Sequence, residues 1–383
     1  ARTFRMPVSI LGRGASDTVG VELKAQGATK VFVVTDEVLW NLGILAKIVS
    51  SLETERLQYQ VYNKLPTEPT TDFVREGTEL YKKSGCNMIL AVGGGTPIDT
   101  AKAISVMATN KGSIEDYMGA NKVERPGIPV VAIPATAGTG SEVTIFTIIS
   151  NTKTNVKMLI ASPYLMPKLA IIDPMLTVTM PKSITAATGL DALTHAIEAY
   201  VSRKAQPMTD VLALSAVRLL AKNLPRAWAN GNDLDAREST LLGAYQAGLA
   251  FSNASVALVH GMSRPIGVYF HVAHGVSNAA LLGQVMEFSL PGNPRRYAEI
   301  AAALGENVSG LSDMEAARAG AAAVKRMISQ LQVPRLRDLG VDRAKFEQVM
   351  PQMIEAAIAS GSPDNNPRIA TREEIADIYR QAF

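Results

Sequence analysis

The chain is poor in features that would mark several protein classes. Its 383 residues hold one cysteine, Cys86, so no disulfide forms within it and a reducing cytoplasm is the expected setting. Lys and Arg number 38 against 35 Asp and Glu, a formal net charge of +3 with no long basic run. A nucleic-acid surface needs clustered positive charge, so no nucleic-acid partner is expected. No uninterrupted apolar run approaches ~18 residues, which argues against a membrane span. The opening "ARTFRMPVSILGRG" has no apolar core of the signal-peptide type. Histidines are only four, yet three of them, His260, His271 and His274, fall in "VHGMSRPIGVYFHVAH" (259–274), with Arg264 between them.

What is present is a globular composition, 47% hydrophobic, in a chain too long for one ordinary core. The first half alternates short β-rich runs with helical stretches. "KVFVVTD" (30–36), "LQYQVYN" (57–63), "NMILAVGGG" (87–95) and "IPVVAIPAT" (128–136) read as strands. Helices are expected over 37–54, Thr71 to Ser84 and Thr96 to Asn110. "SEVTIFTII" (141–149), "KMLIAS" (157–162) and "LAIID" (169–173) add strand-like runs. Near-continuous apolar strands alternating with helices predict a parallel sheet covered on both faces. After Pro181, alanine and leucine recur at helical spacing and β-branched runs fade. Helices are expected near 184–202, 208–223, 235–250, 254–264, 275–289, 312–331 and 343–359. The reading is an N-terminal α/β domain, 1–180, and an all-α C-terminal domain, 181–383, joined near 178–183. A cleft between domains is the default place for a ligand.

"AVGGGTPIDTAKA" (91–103) runs strand, glycines, helix. Glycine lets the backbone approach an anion, and the free N–H groups of a helix start favour phosphate. Thr96 and Asp99 also fit a capping box, with Pro97 in the first turn, so a plain capped turn stays open. "PATAGTGSEVT" (134–144) follows another strand and places Thr136, Thr139 and Ser141 among glycines, where hydroxyls suit phosphate or ribose oxygens. A polar loop without a ligand is the alternative. Two such loops at neighbouring strand ends point to a dinucleotide in a Rossmann-like sheet. Asp36 ends an earlier strand. It suits a ribose that lacks a 2′-phosphate, hence NAD, and equally suits an N-cap.

"GLDALTHAIEAY" (189–200) sets Asp191 and His195 four apart, on one helix face and ~6 Å apart along the axis. A metal-ligand pair and a simple surface contact are both open for that segment. His260 and His274 would lie ~21 Å apart on one straight helix. Pro265 and Gly267 are expected to break it and let the chain turn back. Three imidazoles and a carboxylate then suit Fe(II), Zn(II) or a similar divalent metal.

These segments together resemble the iron-containing (group III) alcohol dehydrogenases over essentially the whole chain. The carrying stretches are "GGGTPIDTAK", "PATAGTGSEVT", "GLDALTHAIEAYVS" and "LVHGMSRPIGVYFHVAHG". The resemblance implies a dinucleotide-binding domain followed by a helical one, the dehydroquinate synthase-like architecture. It implies NAD, a divalent metal that is usually iron, a small alcohol or aldehyde substrate and a homodimer. It places the metal ligands on Asp191, His195, His260 and His274. It places the NAD contacts on Asp36, Gly94, Gly95, Thr96, Asp99, Thr136, Thr139, Thr144, Phe146 and Lys157. Many members carry a histidine four residues after the first of the "HGM" motif, where this chain has Arg264. Arginine does not serve as a general acid–base at neutral pH, but its fork suits a carboxylate, sulfonate or phosphonate on the substrate. A cofactor or structural contact is the other role open to it. His271 is the remaining titratable candidate for proton transfer, against a plain surface role. Alternatives to an alcohol dehydrogenase are a maleylacetate reductase, a dehydroquinate-synthase-like lyase and a non-enzymatic nucleotide- and metal-binding module.

Overall fold

A computed structural model of the chain describes residues 3–66, 68–154 and 156–383. The chain divides into two compact units, one of them Arg5–Val178 and the other built on Thr179–Phe383.

The first unit contains β1 (Val8–Leu11), α1 (Val19–Ala25), β2 (Lys30–Val34), α2 (Glu37–Asn41), α3 (Ala46–Thr54), β3 (Gln58–Tyr62) and α4 (Thr71–Ser84). It continues through β4 (Met88–Gly93), α5 (Gly95–Met107), β5 (Gly119–Ala120), β6 (Val130–Pro134), β7 (Phe146–Asn151), β8 (Val156–Ala161) and β9 (Leu169–Ile172). Six strands form one sheet in the order β1-β9-β6-β4-β2-β3, and every neighbouring pair is parallel. Alternation along the strands feeds two cores. Val31, Val33, Leu90 and Ile133 pack with Leu23, Ile48 and Leu52 on one face. Phe32, Val34, Ile89 and Ala132 pack with Tyr81, Ile98 and Ile104 on the other. The order reverses between β2 and β4, since β2 leads outward to β3 and β4 leads the opposite way to β6. The carboxyl ends of β2, β4 and β6 therefore border the crevice where such sheets take ligands.

Several local expectations shift. The helix over 37–54 is two helices, α2 and α3, parted at Gly43, whose φ of 69° ends a right-handed run. The strand expected from Ser141 begins at Phe146, because Gly140 (φ 65°) opens a 3-10 turn over Ser141–Val143. β7 and β8 leave the parallel sheet and pair antiparallel, with β5 beside β8.

The second unit is helical: α6 (Lys182–Val201), α7 (Pro207–Ala229), α8 (Leu234–Ala254), α9 (Leu258–Phe270) and α10 (His274–Ser289), then α11 (Pro294–Ala303), α12 (Asp313–Gln330), α13 (Arg343–Ala359) and α14 (Arg372–Ala382). α6 is buried on nearly every side from Gly189 to Val201 and packs against α7, α8 and α10. Such all-round burial lets its few polar residues face the interior of the unit rather than water. The corner expected at Pro265 and Gly267 lies elsewhere. α9 runs through both residues to Phe270, and the chain turns at His271, whose φ is 55°. Pro265 removes one backbone donor from the helix without ending it.

Candidate functional site

The dinucleotide loops lie side by side. Gly93 at the end of β4 pairs in register with Pro134 at the end of β6. A Cβ on Gly94 would come 3.3 Å from the Thr136 methyl, and one on Gly95 would come 3.1 Å from that of Thr139. Gly93 has φ 147°, and a Cβ there would meet Pro97 at 2.6 Å, so this turn admits little but glycine. Helix α5 begins at once with no side-chain cap, leaving its first N–H groups for an anion. The Thr136 hydroxyl and that of Thr35, just after β2, are buried without a hydrogen-bond partner among the described residues. Orphaned donors and a glycine cradle fit a phosphate-bearing cofactor.

The capping box read at Thr96 and Asp99 does not form. The Asp99 carboxylate instead accepts from the Ser141 hydroxyl and from the Ile148 N–H at 2.9 Å. It thereby ties α5 to the loop after β6 and to β7. Lys102, fully buried one turn on, donates to Thr144 Oγ1 at 2.9 Å and to the Phe146 carbonyl at 2.8 Å. Burial lowers its pKa to about 8, against the pull of Asp99 and Glu142. Asp99, Ser141 and Thr144 thus build the loop from within. Asp36 caps α2, accepting from Leu39 N–H at 2.8 Å, and burial raises its carboxyl above the ordinary value. Lys157 on β8 pairs with Glu68 at 2.6 Å.

The helical unit gathers the metal-type residues. Asp191 and His195 occupy adjacent turns of α6, His260 the first turn of α9, and His274 the first position of α10. Ligand atoms of Asp191, His195 and His260, all buried, lie within 4.8 Å of one another. From Asp191 Oδ1, the Nε2 atoms of His195, His260 and His274 are 3.8, 3.5 and 3.7 Å away. His274 is the most open of the four, with 37% of its side chain exposed. The His195 ring stacks between Phe251 (centroids 4.1 Å apart) and His260 (4.5 Å), which fixes its plane.

Asn278, one turn past His274, had no place in the sequence reading. Its Nδ2 donates to Asp191 Oδ1 at 2.7 Å and lies 3.2 and 3.3 Å from Nε2 of His260 and His274. Two amide hydrogens cannot satisfy three acceptors, so these lone pairs converge on a point better filled by a cation. Three imidazoles and one carboxylate are the donor set of a divalent first-row metal, and the residues fit one.

Electrostatics agree. Burial favours a neutral Asp191, yet the imidazoles of His195, His274 and His260 outweigh it and hold the carboxyl well below the usual range. Desolvation pushes His274 down to about 3 against the opposing pull of Asp191, and His260, His195 and Arg264 add to the lowering. Its lone pair is therefore free for a metal at neutral pH. Burial opposes a charge on His260, but Glu198 and Asp191 together raise its pKa.

Arg264 follows His260 by one turn on α9. One Nη donates to Ser362 Oγ at 3.2 Å, and Nε is buried with no partner among the described residues. Among the described residues it forms no ion pair. Burial lowers its pKa, against the charge of Glu198. His271 is exposed and forms the C-cap of α9, its N–H donating to the Gly267 carbonyl at 3.1 Å.

A family model for iron-containing alcohol dehydrogenases matches residues 7–174, and one for the C-terminal part of the Fe-containing alcohol dehydrogenase family matches 185–383. The chain is 41% identical to a 1,3-propanediol dehydrogenase of Citrobacter freundii over 379 residues, which are 98% of this chain and 97% of that protein. It is 40% identical over 381 residues to an NAD-dependent methanol dehydrogenase of Bacillus methanolicus, covering 99% of each. The crystal structure of a 1,3-propanediol oxidoreductase, 39% identical, matches with a TM-score of 0.97 over 100% of both chains. The doubly covered parallel sheet, the helical unit with its converging donors and these matches lead to one conclusion: the chain belongs to the iron-containing alcohol dehydrogenase family.

Proposed function

We propose that this metal-dependent, NAD(H)-linked oxidoreductase interconverts a short-chain alcohol and aldehyde that carry an anionic end, and that Arg264 binds that end. The observation behind the substrate class is the partly buried Arg264, whose Nε is buried and whose guanidinium hydrogen-bonds a neutral hydroxyl and, among the described residues, pairs with no carboxylate. A partly desolvated cation with no directly paired carboxylate gains from a ligand that supplies one. Its neighbour Glu198 is already engaged by two other donors.

In this reading residues 181–383 form the metal-binding catalytic domain and 1–180 the NAD-binding domain. Asp191, His195, His260 and His274 hold the metal. When bound, a divalent metal supplies Lewis acidity to the substrate oxygen. NAD supplies the hydride chemistry at nicotinamide C4, and the protein supplies position. Gly94, Gly95, Thr96 and Thr136 cradle the diphosphate, supported by the glycine contacts and the orphaned Thr136 hydroxyl. Asp36 faces the adenosine ribose while capping α2. Asp99 and Thr144 set the loop from beneath it, with Thr139, Phe146 and Lys157 as its further contacts. His271, exposed at the end of α9, passes the released proton to water. A pH–rate profile unchanged in His271→Ala would remove it from that role. A cytoplasmic homodimer is part of the reading, supported by the family resemblance and the single thiol.

The substrate test compares two aldehydes of similar length, neutral propionaldehyde and anionic succinic semialdehyde or sulfoacetaldehyde. The metal-loaded enzyme should show the higher kcat/KM for the anionic one. Arg264→Leu should lower that value by roughly 30-fold, about 2 kcal/mol, and leave the neutral aldehyde nearly unaffected. Equal losses on both substrates would remove Arg264 from substrate binding.

A further inference from the structure

Glu198 is the one acid on α6 that the site as read above does not use. It lies three residues past His195 and is buried, with 2% of its surface exposed. Its two carboxylate oxygens are divided between two donors. Oε1 accepts the Val259 N–H at 2.6 Å, and Oε2 lies 2.6 Å from His260 Nδ1. Both donors belong to the first turn of α9, whose N-cap Ala257 offers no side-chain acceptor. One carboxylate therefore caps α9 and holds the ring of a ligand that α9 carries.

We propose that Glu198 is the positioning residue of the metal site, keeping His260 in the tautomer with the proton on Nδ1 and its Nε2 lone pair on the metal. Val259 donates only through its N–H, so Oε1 is committed to it. Oε2 is the carboxylate's second acceptor, 2.6 Å from His260 Nδ1, so the His260 nitrogen facing it is the one that carries hydrogen. The opposite nitrogen, Nε2, is left with a lone pair, 3.5 Å from Asp191 Oδ1. Ligating imidazoles are oriented in this way by an acceptor on the second nitrogen, and loss of such a partner weakens metal binding by about 10- to 100-fold. Here the acceptor sits on the helix that carries Asp191 and His195, so α6 fixes three of the four donors.

Glu198→Gln sharpens the argument because it keeps shape and removes one acceptor. The amide offers one oxygen and one NH2 to two donors. If the oxygen keeps His260, the NH2 faces the Val259 N–H. If it keeps Val259, the NH2 faces His260 Nδ1 and drives the hydrogen to Nε2, where it blocks the metal.

The inference rests on the metal reading, and the experiment separates the two. The chelator-treated full chain is titrated with Zn(II) or Co(II) against a chromophoric chelator, for wild type, Glu198→Gln and the control Asp233→Asn. Asp233 caps α8 through the Ala236 N–H, so its loss affects stability alone. Wild type and the control should bind alike, and Glu198→Gln about 10- to 100-fold more weakly. Equal affinity in wild type and Glu198→Gln overturns the role of Glu198. A wild type that binds no metal overturns the metal reading itself, and this inference with it. A second readout needs no variant. In the Zn(II)-loaded wild type labelled with 15N-histidine, His260 should show an Nδ1-bound proton protected from exchange. An Nε2-bound proton, or rapid exchange at Nδ1, contradicts the proposal even if Glu198→Gln fails to fold.

Discussion

Glu142 lies in the loop after β6, only 2% exposed, within reach of the buried Lys102 charge. Burial raises its carboxyl from the ordinary 4.5 to about 7, with Lys102 pulling the other way. The folded chain then holds this proton more tightly than the unfolded chain. Its contribution to stability is fully present below pH 4.5 and is lost as pH rises through about 7. Glu142→Gln removes that dependence. Its stability relative to wild type should climb between those two pH values and then level. The urea midpoint read from Trp40 fluorescence in a Trp228→Phe background reports on the first unit. A difference that stays flat across the window would show that Glu142 is ionised at no extra cost. Single residues also mark where sequence reading stops. Asp99 has the spacing of a capping box, but its partners, Ser141 and Ile148, lie more than forty positions away, and no local pattern announces them. Glu198 and Asn278 did leave a signal. Each is polar, one helical turn from a histidine of the cluster, on a helix that is otherwise largely apolar.

At the scale of elements, the site depends on how closely α10 approaches α6. A Cβ on Gly275 would stand 2.2 Å from the Ala187 carbonyl oxygen, so only glycine allows the approach that brings His274 to Asp191. Gly275→Ala should push α10 outward. We expect a loss of about 1–3 kcal/mol in unfolding free energy together with weaker metal binding. Thermal unfolding and metal titration on the same sample check both, and wild-type values in each would contradict the packing argument. The long helices α4, α6, α12 and α13 are legible, α4 and α12 from their apolar spacing and α6 and α13 from their length and their alanine and leucine or methionine content. The turn between His260 and His274 was not. Pro265 looked like a breaker and sits inside α9, whereas the turn rests on a left-handed His271 that no residue type advertises. α11 and α14 are short and polar and announce themselves only at their starts, through Asn293–Pro294 and the Thr371/Glu374 capping box.

For the molecule as a whole, the division into a sheet-bearing part and a helical part is written in the composition. Strands buried on both faces read as continuous apolar runs, and the change to alanine and leucine after Pro181 marks the second unit. The strand order is not written there, because crossovers hide which strands become neighbours. The donor set is legible only in part. Four residues in two segments suggest a metal, but only the packing of α6, α9 and α10 brings them onto one point. The account rests on that point being a single catalytic metal site. The most direct test titrates chelator-treated protein with Fe(II) or Zn(II) while following both bound metal and NADH oxidation by an aldehyde. Activity should rise in proportion to metal and level at one ion per chain, with Asp191→Ala inactive throughout. Metal-free protein that already reduces the aldehyde at the full rate would contradict the account.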